Sequence, residues 1–300
     1  MKHTIPPAPA GRPFIKWLGG KRQLIPAIEG ALPEDFDRCH TCVEPFAGGG
    51  AVFFHLRQKY PGKCYVLNDC NVDLIDAYRT VRDRPHELIT ILRKIKREYM
   101  ALPSREARKA YFLRRRERYN GDGPDMVQRT ALFIFLNKTC YNGLYRVNGR
   151  GEYNAPFGDC SRHSFFDEAV ILQDSRLLQG VELTSGDYAR CAEYAASGAF
   201  FYLDPPYRPL NATSSFTSYT KNGFGDGEQV RLRDFCCGLT ARGARWMQSN
   251  SDGRAATPPN DFLDDLYRDC CISRVVASRH INRGGKNNRT ADHRVSAAVN

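Results

Sequence analysis

The chain has 300 residues, of which 42% are hydrophobic and 26% charged, and it carries a formal net charge of +11 at pH 7. This length provides one large domain or two smaller ones with a buried core. No apolar run approaches the ~18 residues of a membrane span, so a membrane protein is excluded. The positive charge suits a polyanionic partner, although a solvated surface alone can produce it.

The eleven cysteines predict reduced thiols in a cytosol, because they are neither evenly spaced nor part of a small scaffold. Cys39 and Cys42 have CxxC spacing, but no second CxxC follows, so no metal or redox site is predicted there. The first 13 residues are rich in proline and alanine and lack a hydrophobic signal core. They predict a loose arm on a protein that is not exported.

The segment from Phe14 to Lys21 combines a large aromatic, a glycine pair and two lysines. Trp17 offers a flat face to a ligand, and Lys21 offers a charge for a carboxylate. Lysine-flanked Gly-Gly turns are common, so this segment alone is weak support for a site. A short helix is expected from Gln23 to Ile28.

The first α/β unit of the chain consists of a strand from Cys42 to Phe46, a glycine turn from Gly48 to Gly50, and a helix from Ala51 to Leu56. This succession is typical of a nucleotide-binding sheet. Phe53 occupies the place of the third small residue, so the turn is not the dinucleotide fingerprint. The turn therefore admits a nucleoside without a standard pyrophosphate cradle.

A second strand, from Tyr65 to Asp69, ends in an acid. Asp69 lies 19 residues beyond Gly50, close to the ~20 expected of a carboxylate that receives ribose hydroxyls. The alternative is that Asp69 caps a helix from Val72 to Tyr78. The two roles are compatible.

The chain then becomes helical and basic from Arg79 to Tyr119, and a further apolar helix is predicted from Met126 to Leu136. A solvated face and a phosphate-binding face account equally well for the basic residues. The segment 137–158 interleaves asparagines, arginines, aromatics and glycines with little that can fill a core. Because Asn and Arg bond base edges bidentately and aromatics wedge between bases, this segment predicts nucleic-acid readout.

The α/β pattern returns with a strand from Val181 to Tyr188, which carries Asp187 at its tip, and with a buried strand that runs from Phe200 into Asp204-Pro205-Pro206-Tyr207. Prolines lack N–H groups, so carbonyls in this turn can face a ligand without a competing backbone donor. Asp204 and such a carbonyl can accept both hydrogens of an exocyclic amine while Tyr207 stacks on the ring. For this tetrapeptide alone, an ordinary proline turn is the alternative.

The remaining elements complete the sheet. The polar segment 211–227 predicts a loop that closes over substrate. A helix is predicted at 229–238, a strand at 246–250, two last edge strands between Tyr267 and Ile281, and a basic tail that contains Arg279, Arg283, Lys286 and Arg289.

Four motifs, in this order, resemble those of the amino-methylating DNA adenine methyltransferases of the Dam type. They are Lys-Trp-x-Gly-Gly-Lys at 16–21, Glu-Pro-Phe-x-Gly-x-Gly at 44–50, Asn-Asp-x-Asn at 68–71 and Asp-Pro-Pro-Tyr at 204–207. Each motif is modest alone, but four in sequence are specific, and the resemblance runs from about Phe14 to about Arg289. Residues 141–146 and 150–158 are similar to the family's target-recognition region, the part that resembles readers of GATC.

The resemblance implies S-adenosylmethionine as methyl donor and the N6 amine of adenine, flipped out of duplex DNA, as acceptor. The matching catalytic positions are Asp204, Pro205, Pro206 and Tyr207. The matching cofactor contacts are Trp17, Lys21, Glu44, Phe46, Gly48, Gly50, Asp69, Asp187 and Asp204. The matching DNA contacts are Lys16, Tyr141, Asn142, Leu144, Arg146 and Pro156.

The implied fold is α/β: a Rossmann-like class I S-adenosylmethionine-dependent methyltransferase sheet with an inserted, mainly helical DNA target-recognition domain. Its predicted boundaries are a flexible arm at 1–13, a catalytic domain at 14–78 and 165–300, and the recognition domain at 79–164. The expected partner is double-stranded DNA, bound by a monomer in the cytoplasm with no membrane contact. A cognate restriction endonuclease is a further partner that the resemblance leaves open.

Two features depart from the family pattern. Residues 294–300 lack the Glu-Leu pair expected in the last strand, which predicts a shortened sheet edge. The spacing of residues 147–149 after Arg146 does not align with the family, which leaves the outer base pairs of the target open.

Two other functions remain as alternatives. One is a catalytically silent DNA-binding protein, which the intact Asp-Pro-Pro-Tyr motif disfavours. The other is amino methylation of RNA or of a protein glutamine.

Overall fold

The computed structural model describes residues 10–17, 19–159, 165–208, 224–255, 259–278 and 292–299. Most of the predicted closing loop and the predicted basic tail lie outside these ranges. The α-helices are α1 (Ile25–Gly30), α2 (Ala51–Lys59), α3 (Val72–Asp83), α4 (Pro85–Met100), α5 (Arg105–Asn120), α6 (Met126–Thr139), α7 (Glu168–Leu177), α8 (Asp226–Ala241) and α9 (Phe262–Leu266). The strands are β1 (Thr41–Glu44), β2 (Cys64–Asp69), β3 (Glu182–Ser185), β4 (Ala199–Leu203), β5 (Arg245–Ser251), β6 (Cys271–Ser278) and β7 (Asp292–Val299).

The strands form a seven-stranded sheet in the order β3-β2-β1-β4-β5-β7-β6. β1 pairs in parallel with β2 and β4, β4 pairs in parallel with β5, and β7 is antiparallel to β5 and β6. In this register Val43 lies between Val66 and Phe201. The parallel strands separated by helices confirm the Rossmann-like α/β prediction.

The chain divides into two compact units. The helical unit comprises Met1–Gly20, Gly48–Pro61 and Asn71–Gly186, and the sheet unit comprises Lys21–Ala47, Gly62–Cys70 and Asp187–Asn300. The whole of the predicted recognition domain, 79–164, lies in the helical unit. The functional boundaries predicted from the sequence remain a prediction.

α6 is the core helix of the helical unit. Asp125 begins it, because its carboxylate accepts a hydrogen bond from the Gln128 amide at 2.9 Å. The apolar run that follows is buried on every face, and the helix packs against α3, α4 and α5. The ring of Phe135 lies at the centre, within 6.4 Å, centroid to centroid, of the rings of Tyr99, Tyr111, Phe112 and Phe165.

Part of the basic α5 helix is engaged inside the protein. Arg108 donates to Asp159 at 2.9 Å, Arg115 is paired with Glu98, and Arg116 lies 3.4 Å from the carbonyl of Ala155. Arg114 and Lys109 remain exposed. The basic run is therefore neither a purely solvated face nor a uniform phosphate-binding face.

The C-terminal strands differ from the sequence prediction. In the described part of the stretch expected to hold two strands, up to Ser278, there is one strand, β6, and the second, β7, comprises Asp292–Val299. The prediction of a shortened last edge is also wrong, since β7 spans eight residues and pairs on both sides, leaving β6 at the edge. The reason is topological, since β7 lies between β5 and β6 in the sheet. The predicted basic tail itself lies outside the described residues.

The position of Phe135 gives the first testable prediction. Phe135→Ala removes a fully buried ring from the centre of the helical unit and is expected to cost about 3–5 kcal/mol of unfolding free energy. Met126→Ala, on the same helix, is the matched control, because this side chain is 48% exposed and its loss should cost less than about 0.5 kcal/mol. Urea unfolding followed by circular dichroism measures both, and equal losses would contradict the assigned core.

Candidate active site

Acidic side chains end three neighbouring parallel strands of the sheet unit. Glu44 is the last residue of β1, Asp69 is the last of β2, and Asp204 follows β4 directly. Because parallel strands share one carboxyl edge, these three side chains line the same edge of the sheet, where ligands bind in such folds. Glu44 and Asp69 are both buried. The structure thus brings together Asp69 and Asp204, which were predicted at strand tips, with Glu44, which was predicted only as a cofactor contact on a strand expected to continue to Phe46.

Asp204 is held by an ion pair with Lys21. The Lys21 Nζ lies 2.6 Å from Asp204 Oδ2, and Lys21 is only 5% exposed. The same ammonium lies 4.6 Å from the centroid of the Tyr207 ring, within cation–π range. The charge of Lys21 was predicted to meet a ligand carboxylate. The pair with Asp204 leaves no signal in the sequence, because the two residues are far apart in the chain.

The second oxygen of Asp204 is available as an acceptor. Oδ1 is buried and accepts no hydrogen bond from the residues that the structure describes. Burial raises the pKa of Asp204, and the ammonium of Lys21 opposes this rise. A carboxylate with one oxygen fixed and one unpartnered fits a ligand that brings a hydrogen-bond donor, such as an exocyclic amine.

A polar network that the sequence analysis missed supports the turn after Asp204. Gln229 Nε2 donates to the carbonyl of Pro206 at 3.3 Å, and Asn250 donates to Gln229 at 2.9 Å. This contact does not contradict the prediction, which concerned backbone donors, but it means that a side chain already bonds the carbonyl of Pro206. Within the described residues, the carbonyl of Pro205 accepts no hydrogen bond.

The segments beyond β1 and β2 are tied together by Asn68. The side chain of Asn68 donates to the backbone carbonyl of Pro45 at 3.0 Å, and the backbone carbonyl of Asn68 accepts from the amide of Ala47 at 2.8 Å. Asn71, and not Asp69, caps α3, since its side chain accepts from Leu74 at 3.1 Å. The alternative of Asp69 as a helix cap is therefore wrong, because the chain turns two residues later than expected.

Phe46 and Asp187 have partners within the sheet unit. The ring of Phe46 packs at 5.0 Å from Tyr188 and 6.0 Å from Phe224. Asp187 accepts two hydrogen bonds from Arg231, at 2.7 and 2.9 Å, and these lower its pKa. Asp187 also accepts from the amide of Ala189 at the start of a 3₁₀ helix. It is therefore an ordered anion, and its predicted contact with a cofactor remains a prediction.

The glycine turn and Trp17 belong to the helical unit. Gly48 and Gly50 have φ angles of +48° and +70°, which disfavour side chains. A Cβ at Gly48 would lie 2.8 Å from the Trp17 indole, and one at Gly50 would lie 2.6 Å from the Tyr78 hydroxyl. Trp17 stacks on Tyr145 with ring centroids 5.7 Å apart. Close internal packing is thus a sufficient reason for these glycines, whereas the sequence analysis attributed them to the approach of a ligand.

The predicted DNA contacts are gathered around the segment 137–158, which we call the recognition loop. The buried side chain of Asn137 accepts from the Lys16 amide and donates to the carbonyls of Lys16 and Gly143, at 2.8 to 3.1 Å. The amide of Tyr141 donates to the carbonyl of Pro156 at 2.8 Å. The six predicted contacts are therefore brought onto one unit: Lys16, Tyr141, Asn142, Leu144, Arg146 and Pro156.

Arg146 is exposed and held in a defined orientation. Its Nε and Nη2 donate to the side chain and to the carbonyl of Asn154, at 2.8 and 2.9 Å. A short antiparallel bridge between Val147 and Tyr153 fixes the backbone beneath it. Nη1 bonds no residue that the structure describes. The end of the guanidinium can therefore still meet a base edge.

Among the described residues, no group of three His, Cys, Asp or Glu side chains is arranged to hold a metal ion. Within the same ranges, no helix is long and apolar enough to cross a membrane.

Comparison with known proteins gives consistent matches. The family model described as D12 class N6 adenine-specific DNA methyltransferase matches residues 17–281. The chain is 44% identical over 278 residues to the type II methyltransferase M.MjaIII of Methanocaldococcus jannaschii, covering 91% of this chain and 94% of that one. It is 38% identical to the type II methyltransferase M1.LlaDCHI of Lactococcus lactis, covering 89% of this chain and 88% of that one. It is 35% identical to the DNA adenine methylase of Escherichia coli K12, covering 80% and 81%.

The ion pair of Asp204 predicts how its carboxyl titrates. Lys21→Met removes the ammonium that lowers the pKa of Asp204 while burial continues to raise it, so the pKa should move further up. Carboxyl carbon shifts of ¹³C-labelled aspartate followed by NMR over a range of pH measure this change. Lys63→Met is the control, because Lys63 bonds the backbone carbonyl of Phe36 and not Asp204. A pKa that is unchanged in Lys21→Met would contradict the pairing.

Proposed function

Since the chain belongs to the D12 class of N6 adenine-specific DNA methyltransferases, we propose that it transfers a methyl group from S-adenosylmethionine to adenine N6 in GATC or a related short site of duplex DNA. Methylation of adenine in DNA follows from the family. The identity of the donor, the target sequence and the residue roles are the proposal. One observation supports the chemistry most directly: the unpartnered Oδ1 of a carboxylate whose other oxygen is fixed by Lys21.

The acceptor amine is held by Asp204 and its neighbour in the turn. Adenine flips out of the duplex, and its N6 hydrogens are accepted by Asp204 Oδ1 and by the carbonyl of Pro205. With both hydrogens held, the nitrogen lone pair points away from them. The half-buried Tyr207 stacks on the flipped ring. These contacts orient the nucleophile without a covalent enzyme intermediate.

The methyl donor is assigned to the acidic edge of the sheet. When bound, S-adenosylmethionine would supply an electrophilic methyl group. The N6 nitrogen would bond the methyl carbon as the carbon–sulfur bond breaks, with the neutral thioether as leaving group, and the methylated amine would then lose one proton. In the sheet unit, the buried Asp69 accepts the ribose hydroxyls, and Glu44, Phe46 and Asp187 are its further predicted contacts. The predicted donor contacts of the helical unit are Trp17, Gly48 and Gly50. Positioning, together with a site shielded from water, accelerates the transfer.

The recognition loop supports the assignment of the target. Its sequence resembles that of GATC readers, and it carries exposed Tyr141, Asn142 and Arg146 on a backbone fixed by internal hydrogen bonds. Exposed aromatic and guanidinium groups are the types that wedge between bases and bond guanine. Lys16, Leu144 and Pro156 complete the proposed contact surface.

The biological setting is also proposed. Two of the relatives are named type II methyltransferases, which supports a modification role beside a cognate restriction endonuclease. We propose that the protein acts on DNA as a monomer in the cytoplasm.

Direct mapping of the product tests the proposed reaction. The purified chain, supplied with S-adenosylmethionine labelled in the methyl group, should produce N6-methyladenine at one short sequence of unmethylated duplex DNA. Asp204→Ala should abolish turnover, whereas Asp69→Ala should act mainly by weakening donor binding and regain rate at saturating donor. Label on cytosine, on RNA alone or on protein would reject the proposal. An unchanged donor Kd for Asp69→Ala would reject the assignment of the ribose contact.

The orientation of Arg146 leads to a prediction about specificity. Arg146→Ala should lower methylation of the mapped site by roughly ten- to hundredfold, since a bidentate guanine contact contributes about 1–3 kcal/mol. On sites altered at the base pair that Arg146 contacts, the loss should be small. Arg114→Ala is the matched control, because it removes an exposed guanidinium from α5 and should affect all sequences alike. The measurement is the methylation rate of each mutant on single-base variants of the site. An equal loss of rate on every variant for Arg146→Ala would mean that Arg146 contacts the DNA backbone and not a base.

A further inference from the structure

We infer that Gln229 and Asn250 are positioning residues for methyl transfer, which act by fixing the backbone on both sides of Tyr207. This inference rests on the proposed role of the Asp-Pro-Pro-Tyr turn. Neither residue belongs to a motif that the sequence analysis singled out. Gln229 lies in the first turn of α8, and Asn250 lies near the carboxyl end of β5.

The first part of the network anchors the residue before Tyr207. Gln229 is fully buried, and its Nε2 donates to the carbonyl of Pro206 at 3.3 Å. Its Oε1 accepts from Asn250 Nδ2 at 2.9 Å. Both polar atoms of the Gln229 side-chain amide are therefore hydrogen-bonded, and the bond from Asn250 on β5 fixes the orientation of this amide.

The second part anchors the residue after Tyr207. Asn250 Oδ1 lies 3.3 Å from the amide of Arg208 and 2.9 Å from the amide of Ser251. The hydroxyl of Ser251 donates to the carbonyl of Arg208 at 2.8 Å. Both peptide groups of Arg208 are thus held by the end of β5. Tyr207 stands between two residues whose backbone is fixed by side chains.

The chemistry of the network favours a positioning role over simple packing. Burying two amide side chains is costly unless every polar atom is paired, and apolar residues would join a helix to a strand without that cost. What the amides provide instead is direction, because hydrogen bonds set both distance and angle. A displacement of about 1 Å in the group that orients a substrate can cost about 10²-fold in rate.

The same helix and strand contain a matched hydrogen bond at their opposite ends. Trp246 Nε1 donates to Thr240 Oγ1 at 2.9 Å, joining the last turn of α8 to the start of β5. This bond connects the same two elements but lies away from the Asp-Pro-Pro-Tyr turn. Thr240→Val is therefore a control for the structural cost of losing one hydrogen bond between α8 and β5.

The test compares single-turnover methylation rates with binding. Gln229→Met removes the hydrogen bonds at similar side-chain volume and should lower the rate constant by about ten- to hundredfold, with Kd for duplex DNA and for S-adenosylmethionine changed less than twofold. Thr240→Val should leave the rate within twofold of the parent chain. A Gln229→Met rate within twofold of the parent would overturn the inference. A parent chain that methylates no DNA would instead reject the proposed function itself.

A double-mutant cycle with Tyr207 separates positioning from general destabilisation. If Gln229 acts through Tyr207, the loss caused by Gln229→Met should largely disappear in a Tyr207→Ala background, because the group that it positions is gone. Additive losses would overturn the inference. Asn250→Asp is the second variant: it keeps an acceptor for Arg208 and Ser251, and it replaces the donor to Gln229 with a carboxylate oxygen that faces Gln229 Oε1. It should show the same coupling to Tyr207, and additivity there would count equally against the inference.

Discussion

The ion pair between Lys21 and Asp204 is the constraint on which the geometry of the candidate active site depends. Removing two charges from water is expensive, and their attraction alone rarely compensates for the cost. A buried ion pair of this kind is therefore expected to add little to the free energy of unfolding. Its role is better explained by the groups that it holds in place. It fixes one carboxylate oxygen, opposes the rise in the pKa of Asp204 that burial causes, and leaves the other oxygen for a ligand.

The sheet explains why this pair lies among other acids. Parallel pairing of β1, β2 and β4 puts the ends of all three strands at one edge, so a single topological fact collects residues from distant parts of the chain. The next strand, β5, ends in the polar residues Ser249, Asn250 and Ser251, which are all buried. Such residues are unusual in a central strand, and their hydrogen bonds to Tyr202 and to the turn after β4 account for them.

The sequence alone was sufficient to predict features that depend on residues adjacent in the chain. An apolar strand that runs into an acid identifies a strand tip, and this local signal located Asp69 and Asp204. Glu44 came only from the resemblance to a family motif, because the first strand was predicted to continue to Phe46. It was insufficient where the partner is distant. Nothing near Lys21 in the chain indicates Asp204, and nothing near Gln229 indicates Pro206. The prediction of the position of β7 was wrong for the same reason, since strand pairing across a long connection leaves no short-range pattern in the sequence.

The recognition loop shows how composition alone can mislead about individual residues. Its asparagines suggested base readers as a group, because their amides match adenine. In the structure, Asn137 holds the backbone of Lys16 and Gly143, and Asn154 holds Arg146. Asn148 accepts from two amides of its own turn, and so replaces the backbone pairing that a regular element would provide. Asn142 is the exposed member, at a φ of 56°. It is therefore the asparagine of this loop to which the proposed base readout is assigned, and the other asparagines fix the backbone around it.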